Sequence, residues 1–168
     1  MARSVKSGYT NPTATQSGAV NYSAPDLTRH PPRSVRTRLG GFAHFPRLID
    51  KARATVAGTN GDFHYDCPVD GHFWAFTGIK PAAFLKEVKA GKADGELLAY
   101  VMAHAKPQRS ASEIAAWSAW FEHRAPSGVE GREFFNAVHQ KNAAHREDIS
   151  SWFDWLDLDD YVTFGGKA

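Results

Sequence analysis

Apolar positions along this chain recur mostly every three or four residues, the spacing of one helix face. Residues 1–24 depart from it: Ser, Thr, Gly, Asn and Ala dominate without an apolar period, which reads as a mobile arm. Residues 25–38 hold Pro25, Pro31 and Pro32, and each proline disfavours helix at the residue before it, so an extended path is expected. A first helix is predicted over 46–57. Pro46 suits a first turn, Leu48, Ile49, Ala52 and Val56 share one face, and Gly58 supplies the stop. At 100° per residue Arg47, Asp50, Lys51 and Ala54 face the other way, with Arg53 on the flank. From 59 to 79 the period fails. DFHYDC alternates like a strand, but Pro68 and Gly71 interrupt it, so this stretch is expected to be irregular, with room for a short strand or hairpin.

Helical spacing then resumes. A second helix is predicted over 81–90, burying Phe84, Leu85 and Val88, and a third over 94–105, burying Leu97, Leu98, Val101, Met102 and Ala105. Ser110 and Glu113 have capping-box spacing before Ile114, Trp117 and Phe121; Ser127 and Glu130 repeat it before Phe134, Phe135 and Val138. Ile149, Trp152, Phe153 and Leu156 mark a sixth helix ahead of an acidic tail. The expected fold class is mostly α: a single domain over 25–164 with five to six helices, preceded by the arm.

Composition agrees with that size. A chain of 168 residues fits one domain, and eleven Phe and five Trp supply large buried units. One cysteine excludes an internal disulfide, which suits a reducing cytoplasm. The start lacks an apolar stretch of the secretory kind, and no run approaches the ~18 apolar residues of a membrane span. The net charge of +2 argues little for nucleic acid. Its distribution is uneven. Arg29, Arg33, Arg36 and Arg38 precede the first helix, while Asp148, Asp154, Asp157, Asp159 and Asp160 cluster near the end, so the two ends are expected to attract.

Candidate chemistry centres on the first helix and the segment after it. Arg47 in a first turn opposes the helix dipole, a placement that an anionic ligand would turn to use; a solvated face with Asp50 bridging Arg47 or Arg53 is the plain alternative. Gly58 and Asn60-Gly61 turn the chain back, so the polar face and residues 62–70 are expected to share one cleft. That return would bring His64, Cys67 or Asp70 towards Asp50, Lys51 and Arg53, with surplus positive charge favouring an anion. Asp50 or His64 is the candidate general base and Cys67 a candidate nucleophile, against the plain reading of a small buried thiol. Arg33, Arg47, Lys51, Arg53 and Asp70 are the candidate ligand-binding residues. His64, Cys67, Asp70 and His72 are all metal-ligand types, but no zinc or di-iron spacing and no Gly-rich phosphate loop joins them, so neither metal nor cofactor is assigned.

Six blocks, DLTRHPPRS (26–34), LGG (39–41), FPRLIDKARA (45–54), YDCPVD (65–70), FTGI (76–79) and WFDWLDLDD (152–160), resemble the bacterial DUF5069 family. The resemblance implies that the first helix, the Cys-Pro segment and the acidic tail form one module. It assigns no activity, and no role passes to His44 or to Phe73-Trp74-Ala75. Two readings follow. One is a cytoplasmic protein that binds, and if an enzyme acts on, a small anionic or polar metabolite near 46–57. The other is a non-catalytic module that docks a protein partner through its basic arm or its tryptophan-rich helices.

Overall fold

The computed structural model describes residues 24–168; the arm expected over 1–24 lies almost wholly outside them. The segment expected to be extended over 25–38 is so only in part: it turns at 27–30, where Arg29 and His30 donate to Asp26 O and the Asp26 side chain accepts from Thr28, and again at 35–36, where Thr37 donates to Ser34 O. It leads into a two-residue hairpin, β1 (Arg38–Leu39) and β2 (Phe42–Ala43), with Arg38 opposite Ala43 and Leu39 opposite Phe42. Gly40 and Gly41 make the turn with φ of 59° and 86°, the left-handed pair that a tight hairpin requires. A Cβ on Gly40 would also lie 2.4 Å from Leu98, so the turn is pressed onto the body.

Seven helices follow among the described residues: α1 (Phe45–Ala57), α2 (Pro68–Thr77), α3 (Pro81–Lys89), α4 (Asp94–His104), α5 (Ala111–Glu122), α6 (Val129–Ala143) and α7 (Trp152–Thr163). The class is mostly α, with one helix more than expected. The extra helix is α2, which occupies most of the second half of the stretch expected to be irregular; among the described residues the strands lie before α1. Pro68 is tolerated because it stands in the first turn, where its missing N–H costs nothing. Asp70 accepts from the Cys67 backbone N–H at 3.3 Å and closes that turn. Apolar residues surround α2 on most sides, so its helical period had no polar face to stand against.

The principal core wraps α1. Phe42, Phe45, Leu48, Ile49 and Ala52 meet Phe73 and Trp74 of α2, Phe84 and Val88 of α3, Leu97 and Val101 of α4 and Ile114 of α5. Phe45 and Phe73 stack at 4.8 Å. A second cluster joins Val35, Ala43, Phe121 and Phe153, and a third joins α6 to α7 through Phe135, Ala143, Ile149 and Leu158. Val56, Met102 and Phe134, expected inside, are exposed: Val56 stands in the last turn of α1, where residues 55–57 are all exposed, and Met102 and Phe134 flank the packed faces of their helices. Ser110 and Glu113 form the expected capping box on α5, whereas Gly128 rather than Ser127 caps α6. The acidic residues do not trail the last helix. Asp154, Asp157, Asp159 and Asp160 lie within α7, and all but Asp159 turn their carboxylates to arginines of the body. Among the described residues, no helix is long and apolar enough to cross a membrane.

Candidate functional site

The polar face of α1 is not solvated. Arg47, Asp50 and Lys51 are only 3%, 8% and 3% exposed. Burying charges is costly unless each is paired, and here each is. Five elements cover the face: the segment before β1, the loop after Gly58, α2, α4 and α7. The segment before β1 is pinned at its start by Leu27 N–H donating to Thr59 O at 2.9 Å and at its end by His44 N–H donating to Val35 O at 2.8 Å.

The charges divide into two clusters. In one, Arg33 gives its backbone N–H and Nε to Asp50 Oδ2, each at 2.9 Å, and Nη1 to Asp94 Oδ2 at 2.6 Å. Arg53 holds the other Asp94 oxygen at 2.7 Å. Burial works against the Arg33 charge, but its bonds to Asp50 and then Asp94 outweigh that and raise its pKa. In the other cluster Lys51 Nζ donates to both Asp70 oxygens at 2.7 and 2.8 Å and to His64 O at 3.1 Å, and lies 3.3 Å from Cys67 Sγ. The second partner of Asp70 is His44, whose Nε2 lies 2.7 Å from Oδ1. Burial alone would raise the Asp70 carboxyl, but the His44 hydrogen bond and the Lys51 charge hold it low. Burial drives the His44 pKa down to about 4. Arg47 forms a bidentate pair with Asp160, at 2.5 and 2.9 Å, and its guanidinium lies over the Phe63 ring.

Beside the second cluster a cleft of about 650 Å³ opens between α1, the 61–67 loop and the end of α7. His44, Arg47, Lys51, His64 and Cys67 stand in its wall with Phe63, Val69, Leu156 and Phe164. The chain return after Gly58 therefore brings His64 and Cys67 to Lys51. It does not bring them to the other expected partners, Asp50 and Arg53, which with Asp94 and the candidate ligand-binding Arg33 line a separate, more open hollow. Asp70 is fully buried and acts from behind Lys51. Nor is there surplus positive charge. Arg47 and Lys51 each meet a carboxylate of their own, while Asp62 and Asp159 of the wall have no ion pair among the described residues. Burial and the neighbouring Asp160 raise the Asp159 pKa. Of the four ligand types weighed for a metal, Cys67 and Asp70 both meet the Lys51 ammonium, His64 turns Nδ1 to Asp62 O, and His72 packs on Trp120 and Phe121.

A family model described as a domain of unknown function, DUF5069, matches residues 29–162. The chain belongs to this family. The match takes in every element from β1 to α6 and all but the last residue of α7, so both clusters and most of the cleft wall fall inside the DUF5069 module. No curated protein matches the chain. One residue of the cleft wall, His44, was not singled out in the sequence. His44 stands before α1 with φ of 69°, and nothing in its local pattern separates it from a turn residue.

Proposed function

We propose that this DUF5069 chain binds a small polar metabolite in the cleft beside α1. One observation carries the reading: a concave site joins apolar walls from Phe63, Leu156 and Phe164 to convergent polar groups from His44, His64, Cys67 and Asp159. Of the anionic and polar ligands expected, the polar kind fits the wall better, because its cations are already paired. If the bound molecule reacts, His64 and Cys67 are the expected catalytic candidates within reach; Asp50 is turned to Arg33. The single free Cys67 suits the reducing cytoplasm, where we place the protein.

A cleft-filling variant tests this. Thr163 is exposed and lines the cleft, so Thr163→Trp adds bulk there without entering the core. A thermal-shift screen of polyols, amines and amides should stabilise wild type, by about 2.7 kcal/mol at a hundredfold excess over Kd. The variant should not respond. Equal shifts in both proteins would place the binding elsewhere. The second reading, a protein-docking module, draws on exposed Trp120 and Phe134. Its other support, a free basic arm, is weaker, because Arg33, Arg36 and Arg38 are engaged with Asp50, Asp154 and Glu122 of the same chain.

A further inference from the structure

We infer that the cleft takes a cationic amine: a protonated amino group on a small apolar or aromatic body, with the ammonium paired to the Asp159 carboxylate. The inference rests on the cleft being a metabolite site, and it names the substrate class of that site.

One face of α7 forms a side of the cleft. Leu156, Asp159 and Thr163 stand at i, i+3 and i+7, the spacing of a single helix face, and all three line the cavity. Asp159 is in the middle of that face. Its carboxylate lies within the field of Arg47, another residue of the same wall. The other aspartates of the helix, Asp154, Asp157 and Asp160, each hold an arginine. Asp159 has no ion pair and accepts no hydrogen bond among the described residues, and it is only half-buried, so its oxygens stay open. Burial and the Asp160 charge push its carboxyl up, and Arg47 opposes them only in part because its fork is spent on Asp160.

The charges around the cavity set the sign of the ligand. Arg47 and Lys51 are the cations of the wall, and each is held by a buried carboxylate, Asp160 and Asp70. Asp62 and Asp159 come in excess of these pairs, so two positive charges stand against four negative ones. His44 adds no positive charge near neutral pH, since burial holds its pKa down to about 4. A cleft with apolar walls focuses such a field. The donors are also committed: Lys51 Nζ to Asp70 and the His64 carbonyl, and Thr28 Oγ1 to Asp26 at 2.6 Å. An anion would meet repulsion and few open donors. A neutral alcohol would gain one hydrogen bond. An ammonium brings three donors, no acceptor and the charge that the wall lacks. Its apolar body has Leu156, Val69 and the near-parallel rings of Phe63 and Phe164, 6.3 Å apart, to rest on.

The test uses three probes of one shape, benzylamine, benzyl alcohol and benzoate, titrated into 15N-labelled protein at neutral pH and followed by the backbone amide signals of His64 and Cys67. Benzylamine, an ammonium at that pH, should bind at least about tenfold more tightly than benzyl alcohol, the margin of a charge-assisted over a neutral hydrogen bond, and benzoate more weakly than either. Asp159→Asn should bring the amine down to the affinity of the alcohol and leave the alcohol unchanged. Asp157→Asn, which removes the same charge from the Arg36 side of α7, should keep the preference. Asp159 has no partner within the chain for the substitution to untie, and the ranking of the probes on wild type needs no variant. Alcohol or benzoate binding wild type as tightly as the amine overturns the inference, as does an amine preference that survives Asp159→Asn; in both cases the cleft still binds metabolites. If none of the three moves those signals, the cleft reading falls with it.

Discussion

Two charged clusters are anchored on α1, one at Asp50 and Arg53 and the other at Lys51, and they differ in how completely they are satisfied. Around Asp50 the ion pairs are joined by bonds to backbone groups of Arg33, Pro46 and Lys92, and the far members remain partly wet: the side chains of Arg33 and Asp94 are 37% and 29% exposed. That cluster fastens the segment before β1 and the start of α4 to α1. Around Lys51 the members are dry, the carboxylate serves two partners, and one ring nitrogen is left over beside a cleft. The same helix face thus carries a latch and a site. Completeness of hydrogen bonding tells them apart where residue type does not.

The largest contrast should appear on removing the carboxylates. Asp70→Ala strands a buried ammonium and should cost about 3–5 kcal/mol in urea unfolding. Asp50→Ala should cost less, because Arg33 keeps Asp94 and some water. An equal or larger loss in Asp50→Ala would break the distinction.

Next comes pH. The folded His44 pKa lies near 4, below its unfolded value near 6.5. Between those values the unfolded chain takes up a proton that the buried ring refuses, so stability falls as pH falls through this window. The loss should be roughly 3 kcal/mol at most, complete near pH 4. Asp70 and Asp94 both have lowered pKa values and add a further loss below about 4. His44→Phe should flatten the upper window alone. A wild-type profile that stays level from pH 6.5 to 4 would show that His44 takes up its proton in place.

Salt separates the clusters more gently. Asp94→Asn removes a half-exposed partner and should cost about 1 kcal/mol at low salt, and less at 1 M. The Asp70→Ala penalty should persist at 1 M, since water and ions do not reach it. The smallest effect belongs to Arg36, which pairs with Asp154 and Asp157 across an exposed seam. Arg36→Ala should cost no more than about 1 kcal/mol, but it should speed cleavage within residues 29–38 in limited proteolysis. Unchanged cleavage would leave Arg33 as the main fastening of the segment.

Most of the helices were legible because their signals are local. The Gly58 stop, the Gly40-Gly41 turn and the Ser110–Glu113 box act within a few residues, and each stands where its chemistry puts it. Helix α2 was hidden because Phe73, Trp74 and Phe76 leave no polar contrast from which to read a period. The return of His64 and Cys67 to Lys51 was legible in the short turn between them. The sorting of the charges was not. Arg47 takes Asp160, 113 residues away, in preference to the nearby Asp50, and Asp50 takes Arg33 from a segment that precedes the helix.

The sequence by itself therefore determined the helical class, the boundaries of α1, α3 and α4 to within a residue and the chain reversal beside α1, since those depend on propensity and spacing over a few residues. Tertiary structure alone decided which face of α1 was covered, which carboxylate each cation met, and that His44 would be buried against Asp70 with a nitrogen to spare. The physical reason is range. A turn or a cap is settled by its neighbours, whereas the state of a buried charge depends on whichever groups the rest of the fold brings within about 3 Å.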